Sequence, residues 1–142
     1  MTTAPPSLER MQAILHEGVP LARDWGVEVL SAAGGAATLR LPCREVLLRP
    51  GNTVSGPAQM GLADVAMWAA LLSVTNGVDE SVTSTMTVNF LRPVGARPVI
   101  AEARIVKRGR RMVFGEILLR TEGQEEICTH ITTTWAVILP PR

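Results

Sequence analysis

One stretch constrains this chain more than any other. AQMGLADVAMWAALLS, residues 58–73, is apolar on nearly every face and carries a single charge, Asp64. No proline interrupts it. Gly56-Pro57 opens it with proline at the first helical position and Gly56 or Ser55 in reach as the cap. The spacing predicts a helix of about 24 Å at ~1.5 Å per residue, ending near Asn76-Gly77. A helix apolar all round belongs in a core rather than on a surface. The membrane alternative fails on length and charge, because Pro57 to Leu72 is short for a span and holds Asp64 near its middle. The rest of the chain must therefore supply a wrapping for one buried helix.

That wrapping reads mostly as strands. Leu8, Met11, Ile14 and Leu15 fall at helical spacing behind a Ser7 cap, which predicts a short amphipathic helix ending near Gly18–Pro20. Val27 to Leu30 and Ala37 to Leu41 alternate on either side of Ala33-Gly34-Gly35 and read as a hairpin. Pro42 to Val54, with Pro50, Gly51 and Asn52, reads as a loop. Beyond the central helix, Ser81–Phe90, Val99–Val106, Met112–Arg120 and Ile127–Leu139 are rich in β-branched residues and punctuated by Pro93, Pro98, Gly109 and Gly123. The fold class that satisfies this order is α+β, one long antiparallel sheet wrapped around one buried central helix. No linker, repeat or low-complexity segment divides the 142 residues, so residues 1–142 read as one domain.

Composition narrows the function classes. Apolar residues make up 46% and charged residues 19%, which excludes a disordered chain. The net charge of +1, the absence of tyrosine and the scarcity of aromatics give no reason to expect a nucleic-acid partner. Cys43 and Cys128 show no CxxC spacing, and with only His16 and His130 no metal set is expected. The opening MTTAPPSLERMQ lacks the basic-then-apolar design of a signal peptide, so a cytoplasmic protein with reduced cysteines is expected. No GxSxG elbow and no phosphate-cradling glycine loop is present.

Four segments carry a family resemblance: Ser55-Gly56-Pro57, Leu62-Ala63-Asp64, VTSTMTVNFLRPV from Val82 to Val94, and VKRGRRMVFGE from Val106 to Glu116. In order and spacing they resemble the hotdog-fold acyl-CoA thioesterases. The nearest branch is the phenylacetic-acid-degradation (PaaI-like) type, within the wider 4-hydroxybenzoyl-CoA thioesterase superfamily. The resemblance covers nearly the whole chain and implies the hotdog fold, an acyl-CoA substrate, no further cofactor, and a homodimer or dimer of dimers with sites between subunits. One departure stands out: the family writes His-Gly-Gly where this chain has Ser55-Gly56-Pro57.

Asp64 is the first candidate on physical grounds, since a carboxylate in an apolar helix is costly unless paired, at an edge, or functional. It reads either as a hydrogen-bonded acid at a dimer seam or as a general base or nucleophile aimed at a thioester carbonyl. Gly56 reads as a cap and as an oxyanion donor, because a helix N-terminus presents free N–H groups. The resemblance places the thioester carbonyl at this N–H and gives Thr83 the orientation of the attacking water. Ser55, Asn52 and Gln59 are candidates for contact with substrate or water. Trp68 and Met67 read as packing or as lining of an acyl pocket, and Trp25, Trp135 and His130 as structural. Arg92, Arg97, Arg104, Lys107, Arg108, Arg110 and Arg111 face Glu102 alone between positions 92 and 111. This run reads either as a solvated hairpin or as a clamp for the phosphates of coenzyme A, with Arg92, Lys107, Arg108 and Arg110 as its named members. Two other functions compete with thioester hydrolysis: a non-catalytic acyl-CoA binding module, in which Ser55 marks lost activity, and a hotdog dehydratase, which depends on a histidine absent from the helix entrance.

Overall fold

The structure is a computed structural model that describes residues 4–138. Its elements in chain order are α1 (Leu8–Gly18), α2 (Pro20–Trp25), β1 (Glu28–Ala33), β2 (Ala36–Leu41), a 3₁₀ turn (Glu45–Leu47), β3 (Leu48–Arg49), β4 (Thr53–Val54), α3 (Gly56–Leu72), β5 (Val82–Phe90), β6 (Val99–Arg108), β7 (Met112–Thr121) and β8 (Ile127–Ala136). Six strands form one antiparallel sheet in the order β1-β2-β6-β7-β8-β5, and β3 pairs with β4 separately. This is the α+β architecture expected from the sequence, a long antiparallel sheet around one helix.

Period-two burial builds the sheet's inner face. Along β7, Val113, Ile117 and Leu119 are buried while Met112, Phe114, Glu116 and Leu118 turn the other way. α3 packs on that inner face against β2, β6 and β7. Leu62, Ala63, Ala66, Met67, Ala69, Ala70 and Leu72 are fully buried there. Each large side chain among them contributes roughly 1.5–3 kcal/mol by leaving water. Its small alanines let the helix axis lie close to the strands. Met60, Asp64 and Trp68, spaced i, i+4 and i+8, form the one stripe of α3 that the core leaves less than buried.

Three local readings need revision. Gly18–Pro20 ends one helix but also starts another, because Pro20 with its preset φ serves as the first residue of α2. The stretch from Pro42 to Val54 is a loop that also closes a small hairpin, β3–β4, around Pro50-Gly51-Asn52, where Asn52 holds a positive φ of 58°. The last strand stops at Ala136, and Leu139 lies outside the described residues. The β1–β2 hairpin turns on Gly34 and Gly35, both at positive φ (61° and 83°), as a two-residue turn matched to strand twist requires.

α1 is tied to the sheet edge by Gln12. Its amide donates to the Val27 carbonyl at 2.7 Å and accepts from the Val29 N–H at 2.8 Å. That anchoring carries Gly18 and Val19, at the C-terminal end of α1, onto the exposed stripe of α3.

Candidate active site

Asp64 sits half-buried in the wall of a cleft of about 300 Å³, with Gly18, Val19, Trp68, Ser81, Thr83 and Trp135 among its neighbours. Thr83 Oγ1 donates to Asp64 Oδ1 at 2.6 Å, so β5 and α3 are joined at the functional candidate itself. Burial pushes the Asp64 carboxyl above its ordinary value of 3.8, and the Thr83 hydrogen bond pulls the other way. The result is a carboxylate held in one orientation and made more basic than a solvated one. Trp68 lies one helical turn further along α3. Its indole N–H donates to the Asp79 carbonyl at 3.3 Å. Gly18 permits its position, because a Cβ there would stand 2.5 Å from Trp68 Cη2.

Gly56 lies elsewhere. Eight residues before Asp64 on the same helix, it is about 12 Å away along the axis at ~1.5 Å per residue. It opens a separate cleft of about 660 Å³ that also includes Arg49, Gln59, Phe90 and Arg92. As the first residue of α3 it has no acceptor for its N–H within the helix. Ser55 is the cap: its hydroxyl accepts from the Ala58 N–H at 3.2 Å. Gln59 is buried and committed at both ends, donating to the Val54 carbonyl at 3.1 Å and accepting from Thr129. Asn52 is exposed at the tip of the β3–β4 hairpin, where its left-handed backbone fits the turn.

The basic run does not form one patch. Arg92 pairs with Glu126 and donates to the Ile127 carbonyl at 3.1 Å, beside the Gly56 cleft. Arg104 pairs with Glu116 at 3.0 Å, and Arg97 donates to the Glu122 carbonyl at 3.0 Å. Lys107, Arg108, Arg110 and Arg111 are exposed on the β6–β7 hairpin. Arg108 and Arg110 line a third cleft, of about 770 Å³, at the C-terminal end of α3 with Leu71 and Thr75. Adjacency in sequence hid this division, since the ten residues of β6 separate Arg97 from the tip of the hairpin. His130 lies on the sheet face away from α3, with Nε2 2.9 Å from Glu116 Oε2.

Several wall residues had no signal in the sequence. Trp135 faces Thr83 only because β8 pairs with β5, strands separated by two others in the chain. Arg49 and Phe90 reach the Gly56 cleft through the β3–β4 hairpin and the end of β5.

The architecture has counterparts. The family model described as "Thioesterase superfamily" matches residues 51–128, from the β3–β4 turn into β8 and more than half of the chain. The chain belongs to the thioesterase superfamily. With the family comes the enzyme class, a thioester hydrolase of hotdog fold. A "putative thioesterase" from a Silicibacter species shares 32% identity with it, covers 99% of this chain and 95% of its own, and superposes with a TM-score of 0.85. A variant of the phenylacetic acid degradation protein PaaI from Thermus thermophilus is 27% identical over 84% of this chain and 99% of its own, with a TM-score of 0.74. The "Putative esterase" of Thermoplasma acidophilum is 26% identical over 81% of this chain and 86% of its own length.

Among the described residues no helix is long and apolar enough to cross a membrane.

Proposed function

We propose that this protein hydrolyses acyl-CoA thioesters to a carboxylic acid and free CoA, as a PaaI-like member of its superfamily, with Asp64 as the reacting carboxylate. The observation that carries this reading is the half-buried Asp64 held by Thr83 at the mouth of a cleft, in a chain of the thioesterase superfamily. As a general base, Asp64 takes a proton from water while the oxygen adds to the thioester carbon. The C–S bond then breaks and the proton passes to the CoA thiolate. As a nucleophile, its oxygen adds to the thioester carbon and the C–S bond breaks to release the CoA thiolate, leaving a transient anhydride. Water then opens it to the free acid and the Asp64 carboxylate, and the proton it loses goes to the thiolate. Single-turnover hydrolysis in heavy-oxygen water tests for the second: label in the Asp64 carboxyl shows an anhydride opened at its aspartyl carbon.

Either route needs a donor for the oxyanion. The Gly56 N–H at the α3 N-terminus suits it, but about 12 Å along one helix is too far for both groups to act on one carbonyl. The reading therefore requires two copies, Asp64 of one facing Gly56 of the other, in a homodimer or dimer of dimers. Thr83 orients the attacking water through the carboxylate it holds. Ser55, as the cap, keeps the Gly56 N–H presented, and Trp68 lines the acyl side. Arg108 and Arg110, with Lys107 beside them, supply charge for the CoA phosphates, and Arg92 supports the Gly56 side. A cytoplasmic location agrees with two cysteines that are both unpaired.

The test is a panel of acyl-CoAs, aromatic and medium-chain aliphatic side by side, followed by release of free thiol. Turnover that disappears in Asp64→Asn supports the proposal. Tight binding of acyl-CoA without turnover by the wild-type protein would overturn it in favour of a binding module.

A further inference from the structure

The Asp64 cleft contains four side chains able to donate a hydrogen bond: Trp68, Ser81, Thr83 and Trp135. Three are committed inside the protein. Thr83 gives its proton to Asp64, Ser81 gives its hydroxyl to Asp79 Oδ1 at 2.8 Å, and Trp68 gives its indole N–H to the Asp79 carbonyl. The fourth is not. Trp135 is 4% exposed, and its Nε1 is buried with no acceptor among the described residues. An indole N–H buried without a partner costs free energy that a fold seldom leaves uncompensated. It also stands at a telling place. Trp135 is the cross-strand partner of Thr83, so the unpaired donor belongs to the residue beside the one that holds the reacting carboxylate.

We infer that Trp135 is a specificity-determining residue whose indole N–H donates to a neutral oxygen carried by the acyl group. The inference rests on the acyl-CoA reading above and adds to it which acyl groups are preferred. The acceptor is neutral, because Asp64, Asp79 and Glu80 line the same cleft and would repel a second carboxylate. Acyl groups with a keto, hydroxyl or ether oxygen fit. Purely hydrocarbon chains leave the donor unpaired, and a site built to hydrogen-bond its substrate discriminates strongly against such an analogue.

An oxygen scan tests this. Acyl-CoAs of one length are prepared with an ether oxygen replacing successive methylene groups, and kcat/KM is measured for each against the all-carbon chain. One oxygen position is expected to be favoured by roughly 10-fold or more in the wild-type protein, and Trp135→Phe is expected to abolish that preference. Comparing ratios between the two proteins cancels the intrinsic reactivity of each thioester. A second readout needs neither turnover nor a variant. In wild-type protein labelled with nitrogen-15, the Trp135 indole N–H resonance should shift downfield with one member of the series when the non-hydrolysable thioether analogues of the oxa-acyl-CoAs are added in turn. It should shift less with the all-carbon analogue. A flat scan with an unmoved resonance, in a protein that hydrolyses these thioesters, overturns the role of Trp135 and leaves the hydrolase reading standing. Equal losses on all substrates in Trp135→Phe also overturn it, by assigning the indole to packing. Failure to hydrolyse any acyl-CoA strikes the proposed function instead, and the resonance then reports on the donor by itself.

Discussion

Burial and hydrogen bonding pull the Asp64 carboxyl in opposite directions, and burial is the larger effect. The rate should therefore rise with pH as Asp64 ionises, with a midpoint above 3.8, the carboxyl's ordinary value. Thr83→Val removes the bond that favours the charged form, so the midpoint should move higher and the neutral-pH rate should fall roughly 10-fold. A pH–rate profile of the two proteins checks both, and superimposable profiles would remove Thr83 from the site. The same shift bears on folding. Because the folded-state pKa is raised, the stability this group contributes is fully present below its unfolded pKa and is lost as pH rises through the folded one. At neutral pH the charge is a net cost to the fold. Asp64→Asn keeps an oxygen for Thr83 and removes the charge, so its Tm should equal or exceed that of the wild type while kcat drops at least roughly 100-fold. A lower Tm with normal turnover would make Asp64 a structural residue. Gly18→Ala acts on the opposite wall: the new Cβ collides with the Trp68 ring and drives it toward the cleft, so kcat/KM for bulky acyl groups should fall several-fold more than for acetyl.

At the scale of elements, the α3 segment was legible because three signals agree: a capping serine, a proline at the start and uninterrupted apolar residues. Ser55→Ala should cost about 1 kcal/mol through loss of the cap, read as a lower denaturation midpoint. An unchanged midpoint would show that the hydroxyl serves only substrate. The strands were legible from alternation, and their neighbours were not. Nothing in the residues of β5 says that it pairs with β8 rather than β6, so the meeting of Thr83 with Trp135 was invisible in the sequence. The basic run failed for a related reason. Composition counts charge along the chain, and a ten-residue strand between Arg97 and the hairpin carries the two ends of the run to opposite parts of the sheet. What remains at the hairpin is still testable. Neutralising Arg108 and Arg110 should raise KM for acyl-CoA and blunt its dependence on salt. Saturated turnover, and the rate on a short thioester lacking the nucleotide, should be preserved. Equal losses on both substrates would mean that the hairpin acts through folding.

The whole molecule leaves β5 at the edge of the sheet, nine residues long, with Val82 and Phe90 each 52% exposed. Long exposed edges are normally covered, and a second copy of the same strand would continue the sheet. Light scattering at micromolar concentration should give at least twice 15.3 kDa, and a monomeric mass would exclude a site shared between copies. Such a site makes a sharper demand. Asp64→Asn spoils the acid and leaves Gly56 intact. Gly56→Val fills the Gly56 cleft and leaves Asp64 intact, and the Phe90 ring, 3.5 Å from a Cβ at that position, leaves room for the side chain's first atom. Each variant alone should be nearly inactive. If the two are unfolded together and refolded as a mixture, every mixed dimer regains one site with both groups sound. The activity of that mixture is the measurement that matters most: roughly a quarter of the wild-type rate, the statistical share of intact sites, is the predicted result. A mixture as inactive as its two components would contradict a site assembled from Asp64 of one copy and Gly56 of another.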